Sequence, residues 1–79
     1  MKEQILKAIR ERINFPQHHE KMIKVIIETE VGTADVTTSN VVLSRIAIEI
    51  ICKLKAIGCI SELIIGYLYE DLLEAMGVY

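Results

Sequence analysis

The sequence predicts an all-α fold of three or four short helices, with residues 40–57 as the central helix, and it predicts that the fold is oligomeric. Three observations carry this. Apolar residues recur at helical spacing along most of the 79 positions. The breaks between the periodic runs fall at Phe15-Pro16, Gly32 and Gly58, where helices are expected to stop. The segment Asn40–Ile57 is apolar on two faces, whereas a domain this small can bury one stripe per helix.

The first helix is read over residues 2–14, where Ile5, Leu6, Ile9 and Ile13 share a side opposite Gln4, Lys7 and Glu11. Phe15-Pro16 should end it, because the residue before a proline is pushed out of the α region. Pro16 then suits the start of the next element. Residues 17–31 support two readings. As a helix, Met22, Ile23, Ile26 and Ile27 form a stripe capped by Gly32. As a strand, Ile23, Val25, Ile27, Thr29 and Val31 alternate with Lys24, Glu28 and Glu30, and only Ile26 breaks the pattern. The strand reading leads to an α+β alternative with a small hairpin over 23–38, turning near Gly32-Thr33-Ala34-Asp35. The helix reading is favoured because a lone two-stranded hairpin is marginal in water.

Thr37-Thr38-Ser39-Asn40 offers side-chain oxygens immediately before a periodic apolar run, which marks a helix start. Within the third helix Leu43, Ile46, Ala47, Ile50, Ile51, Leu54 and Ile57 fall on one broad face assigned to the core. Val41, Ile48 and Cys52 fall on the far side, bordered by Arg45 and Lys55 as a seam between subunits would be. Gly58 stops this helix. Ser61 is placed to cap a fourth helix from Glu62 to about Met76, whose core face is Ile64, Ile65, Leu68, Tyr69, Leu72, Leu73 and Met76. Leu63 and Tyr67 lie on its opposite side with Glu70 and Glu74.

Length and composition set the frame for function. Residues 1–79 read as a single helical domain with no linker or repeat. A chain of this size buries only about 60–65% of its unfolded surface. The apolar fraction of 52% then points to self-association as the supplement to a small core. Cys52 and Cys59 make no disulfide framework and read as reduced thiols in apolar surroundings, consistent with a cytoplasmic protein. No signal-peptide pattern opens the sequence. The run from Val41 to Ile65 is broken by Arg45, Glu49, Lys53, Lys55 and Glu62, so no membrane span is expected.

Several constellations contain residue types of known chemistry but lack the arrangement it needs. His18-His19-Glu20 contains metal-ligand types, but adjacent helical side chains diverge and no further His or Cys follows at ligand spacing. Cys52 and Cys59 are too far apart for CxxC chemistry, and neither has a neighbour in sequence that would activate it. Glu70, Asp71 and Glu74 read as a solvated face rather than an acid–base pair in a cleft. The isolated glycines form no phosphate loop. No catalytic residue, metal ligand or cofactor is therefore expected.

The expectation that remains is a non-enzymatic regulatory or inhibitory protein acting by protein–protein contact. Its partners would be itself, as a dimer or higher oligomer, and another protein. Its interface residues would be Val41, Ile48, Cys52, Leu63 and Tyr67. The alternative is a small dimeric nucleic-acid-binding regulator. Leu54–Tyr67 reads loosely as helix–turn–helix, but the helix that would enter the groove has no Lys or Arg. Nucleic-acid contact would then fall to Lys2, Lys7, Arg10 and Arg12 of the basic first helix.

Overall fold

The computed structural model describes residues 1–32 and 38–78. Among the described residues the chain forms four α-helices, α1 (Lys2–Arg12), α2 (Glu20–Val31), α3 (Asn40–Ala56) and α4 (Ile65–Ala75). Short 3-10 turns, Gln17–His19 and Glu62–Ile64, precede α2 and α4. No strand occurs among the described residues. The hairpin alternative over 23–38 is thereby overturned: residues 23–31 are helical, and Thr33–Thr37 lie outside the described residues.

The helices close into a ring, with α1 on α2, α2 on α3, α3 on α4, and α4 back on α1. Ion pairs fix how α1 and α2 lie, since Lys2 reaches Glu28 at one end (3.6 Å) and Arg10 reaches Glu20 at the other, an antiparallel arrangement. The interior of the ring is apolar throughout. Ile5 and Ile9 of α1, Ile23 of α2, Ile50 and Leu54 of α3, and Leu68 and Leu72 of α4 are fully buried, and no polar or charged residue is buried among those described.

Each helix boundary has a local cause. α1 ends at Arg12, earlier than Pro16 requires, because Ile13 turns extended (φ −130°, ψ 144°). In that conformation its side chain is buried while its N–H still bonds Ile9 O at 2.9 Å. A β-branched residue pays little to leave the helix, and here the exit places it in the core. Pro16, at φ −60°, opens the 3-10 turn rather than α2 itself.

Gly32 ends α2 without the left-handed cap expected of it, at φ −58°. Its need is proximity instead, since a Cβ there would lie 2.7 Å from the Glu28 carbonyl oxygen. Ser39 caps α3 as expected, its hydroxyl accepting from the Val42 N–H at 3.4 Å. Gly58 does adopt the left-handed conformation (φ 79°) that terminates helices cheaply only in glycine. The Cys59 N–H accordingly reaches back to the Leu54 carbonyl at 2.9 Å. Ser61 precedes the second 3-10 turn but makes no side-chain capping bond, so the expected cap of the fourth helix is absent and α4 proper begins at Ile65.

Candidate functional site

The geometry of α3 separates its two apolar faces. Leu43, Ile46, Ala47, Ile50, Ile51 and Leu54 are buried against the rest of the ring. At about 100° per residue, Val41, Arg45, Ile48 and Cys52 fall on a single line along the opposite, outermost side of the helix. Val41 is 70% exposed and Ile48 48%, and Cys52 is exposed as well. The core behind them is complete without these side chains, so their exposure is not a gap in packing.

Leu63 and Tyr67 are also exposed, at 87% and 66%. They sit one turn apart at the start of the fourth helical segment. The Lys55–Glu62 ion pair joins the end of α3 to the 3-10 turn that carries Leu63. Tyr67 leans toward α1, where the Arg12 guanidinium lies 5.7 Å from its ring centre. The five expected interface residues are thus all at the surface, Val41, Ile48 and Cys52 on α3, and Leu63 and Tyr67 at the start of the fourth helical segment. Met22 and Val25 of α2 and Val42 of α3 are further exposed apolar residues. Sequence periodicity hid Met22, because it was counted in the buried stripe of α2; the buried residues are Ile23, Ile27 and Val31.

The cysteines differ from expectation in an instructive way. Cys52 lies in solvent rather than in apolar surroundings. Cys59 is partly buried, and its Sγ lies 3.4 Å from Nδ1 of His19, a residue forty positions away. Nothing in the spacing of the sequence signals this pairing, which arises because the 3-10 turn before α2 meets the exit from α3. Burial pushes the Cys59 thiol pKa up, so the pair holds a protonated thiol rather than a nucleophilic thiolate. His18 packs edge-on against His19, and no group of three or more His, Cys, Asp or Glu among the described residues is arranged to hold a metal.

Charge is mostly consumed within the fold. Lys2 pairs with Glu28, Lys7 with Glu11 (4.0 Å), Arg10 and Lys24 with Glu20, and Arg12 with Asp71. The Arg12 guanidinium donates through both Nε and Nη2, the latter at 3.4 Å, and Asp71 raises its already high pKa. Lys24 and then Arg10 hold the Glu20 carboxyl below the usual glutamate range. Lys53 pairs with Glu30 across the α2–α3 seam. Glu3, Lys21, Arg45, Glu49 and Glu74 form no ion pair among the described residues; of these, Arg45 and Glu49 lie one turn apart on the outer side of α3.

Among the described residues, depressions along the helix seams have volumes of about 240, 320 and 510 Å³. The first, between α1 and α2, is lined by Lys2, Glu3, Leu6, Lys24, Ile27 and Glu28. No helix among the described residues is long and apolar enough to cross a membrane.

The fold defines a small all-α domain whose least explained feature is a convex helix face. Comparison with protein-family models, with curated proteins and with solved structures gave no match.

Proposed function

We propose that this is a small non-enzymatic regulatory or inhibitory protein that acts by contact with another protein and associates with itself through the outer face of α3. The observation that carries the reading is the line of Val41, Ile48 and Cys52, exposed on a helix whose other face already completes the core. Apolar surface held in water without an internal structural need is the usual mark of a contact site. Leu63 and Tyr67 supply further exposed apolar surface for another protein. A cytoplasmic location fits the two free thiols, one of them in solvent.

Light scattering coupled to size-exclusion chromatography, over a concentration series at low and high salt, tests the reading. The wild type is expected to show a mass above the monomer that rises with concentration. Ile48→Lys should return it to monomer while leaving far-UV helicity intact. Lys is chosen over Glu because Arg45 lies one turn away and would offer a glutamate a favourable neighbour. A wild-type monomer throughout would remove the self-association; an unfolded Ile48→Lys variant would place Ile48 in the core.

The ion pairs of α1 argue against the nucleic-acid alternative. Lys2, Lys7, Arg10 and Arg12, the cations it depends on, each have an acidic partner on the same molecule. Exposed pairs of this kind are weak, so they reduce affinity for phosphate rather than abolish it. A mobility shift with mixed-sequence DNA at low salt would reinstate that alternative.

A further inference from the structure

Resting on the self-association just proposed, we infer the occupant of the α3 face and its orientation: a second copy of this chain, its own α3 lying antiparallel across a two-fold axis at the middle of the stripe. Val41, Arg45, Ile48 and Cys52 are spaced four, three and four residues apart, the spacing of a helix–helix seam. The stripe has one feature that an indifferent hydrophobic contact would not tolerate. A charged residue, Arg45, occupies an inner position of it, and that charge must be met if the seam closes.

The two possible orientations give Arg45 different neighbours. In a parallel pair each residue faces itself, so Arg45 meets the partner subunit's Arg45 at the centre of the seam. In an antiparallel pair about the middle of the stripe, Val41 lies across from the partner's Cys52, and Arg45 across from the partner's Ile48. The partner's Glu49 then falls within one residue of the level of Arg45, about 1.5 Å along the axis. It also falls on the same side of the seam, because Glu49 flanks the stripe on the side toward which Arg45 leans. The two-fold axis makes this contact twice.

Arg45 and Glu49 are thus self-complementary across the axis, and they have no ion-pair partner among the described residues of their own chain. The two copies of Arg45 lie about 4.5 Å apart along the axis in the antiparallel form, but each then has the partner's Glu49 beside it, a counter-charge that the parallel form does not supply. A single helix face is small beside standard interfaces, which bury about 1,200–2,000 Å² in total, so the dimer is concentration-dependent.

Orientation is read by cross-linking and by charge exchange, both on the intact chain. After mild oxidation at a concentration where light scattering shows dimer, Val41→Cys is expected to give a disulfide between Cys at 41 and Cys52 of the other copy, identified by peptide mapping. The wild type should give no Cys52–Cys52 disulfide. Arg45→Glu is expected to weaken association roughly tenfold or more, and Arg45→Glu combined with Glu49→Arg to restore it to within about threefold. A wild-type dimer that cross-links through Cys52–Cys52 would overturn the antiparallel arrangement and leave self-association standing. A dimer indifferent to Arg45→Glu and free of both cross-links would move the interface off α3. A monomer at every concentration would overturn this inference together with the reading on which it rests.

Discussion

Isoleucines 48 and 50 provide a matched test of how α3 is turned, because they are the same residue type, two positions apart on one helix. Ile50 is fully buried, whereas Ile48 is about half exposed. Truncating a buried isoleucine to alanine costs about 2–5 kcal/mol, from lost transfer energy and the cavity left behind. The domain as a whole is expected to be stable by about 4–12 kcal/mol at the usual margin per residue. Ile50→Ala should therefore remove a large fraction of it and lower Tm by about 10 °C or more.

At Ile48 only about half of a transfer energy of about 1.5–3 kcal/mol is at stake. Alanine's better helix propensity returns a few tenths, which leaves a net loss under about 1 kcal/mol. Urea titration followed by circular dichroism measures both, first at a concentration low enough that the wild type is monomeric. Equal losses there, or a larger loss from Ile48→Ala, would refute the assignment of inner and outer faces. Raising the concentration adds a further distinction: the wild type gains apparent stability by mass action, while Ile48→Ala gains less.

Acid and thiol chemistry supply the remaining checks. Lys24 and Arg10 depress the Glu20 pKa in the folded state, so the stability it contributes is complete above the ordinary glutamate range and is lost as the pH falls through the depressed value. Glu20→Gln should lower Tm at neutral pH, and its deficit should shrink as the pH falls through the depressed Glu20 value and the carboxylate is protonated; a deficit that does not change with pH would mean the ion pairs contribute nothing. Maleimide labelling at neutral pH should modify exposed Cys52 at least about tenfold faster than Cys59, whose thiol is partly buried and held protonated. Faster labelling of Cys59 would mean that His19 activates it instead.

Much of this fold was readable from residues alone. The buried face of α3 could be named almost completely because an amphipathic repeat over 17 residues leaves little freedom of phase, and only Ile57, at the helix exit, is less buried than its position suggested. The choice between helix and hairpin at 23–31 was harder, since Ile23, Val25, Ile27 and Val31 satisfy a two-residue period while Ile23, Ile27 and Val31 also satisfy a helical one. In the structure the segment is a helix packed on both α1 and α3, with Ile23, Ile27 and Val31 buried.

The outer line of Val41, Ile48 and Cys52 could be read because it is the remainder once the core face is subtracted. The Arg12–Tyr67 contact could not, because it joins segments distant in the chain. The His19–Cys59 contact lay beyond reach as well, being set where the start of α2 meets the exit from α3 once those two helices pack.

Ring closure also orders the fold in time. α1 meets α4 only through residues some 59 positions further on, as the Arg12–Asp71 pair shows. At a synthesis rate of about 5–20 residues per second, that delay is on the order of 3–12 s. A helix as short as α1 is marginal alone, and during the interval it has α2 as its only finished neighbour. The part of its apolar face that α4 will cover, around Ala8, stays wet until the last helix is made. The slowest-arriving segment is therefore the one that completes the core, and damage to α4 would leave the earlier three helices collapsed but open along one side.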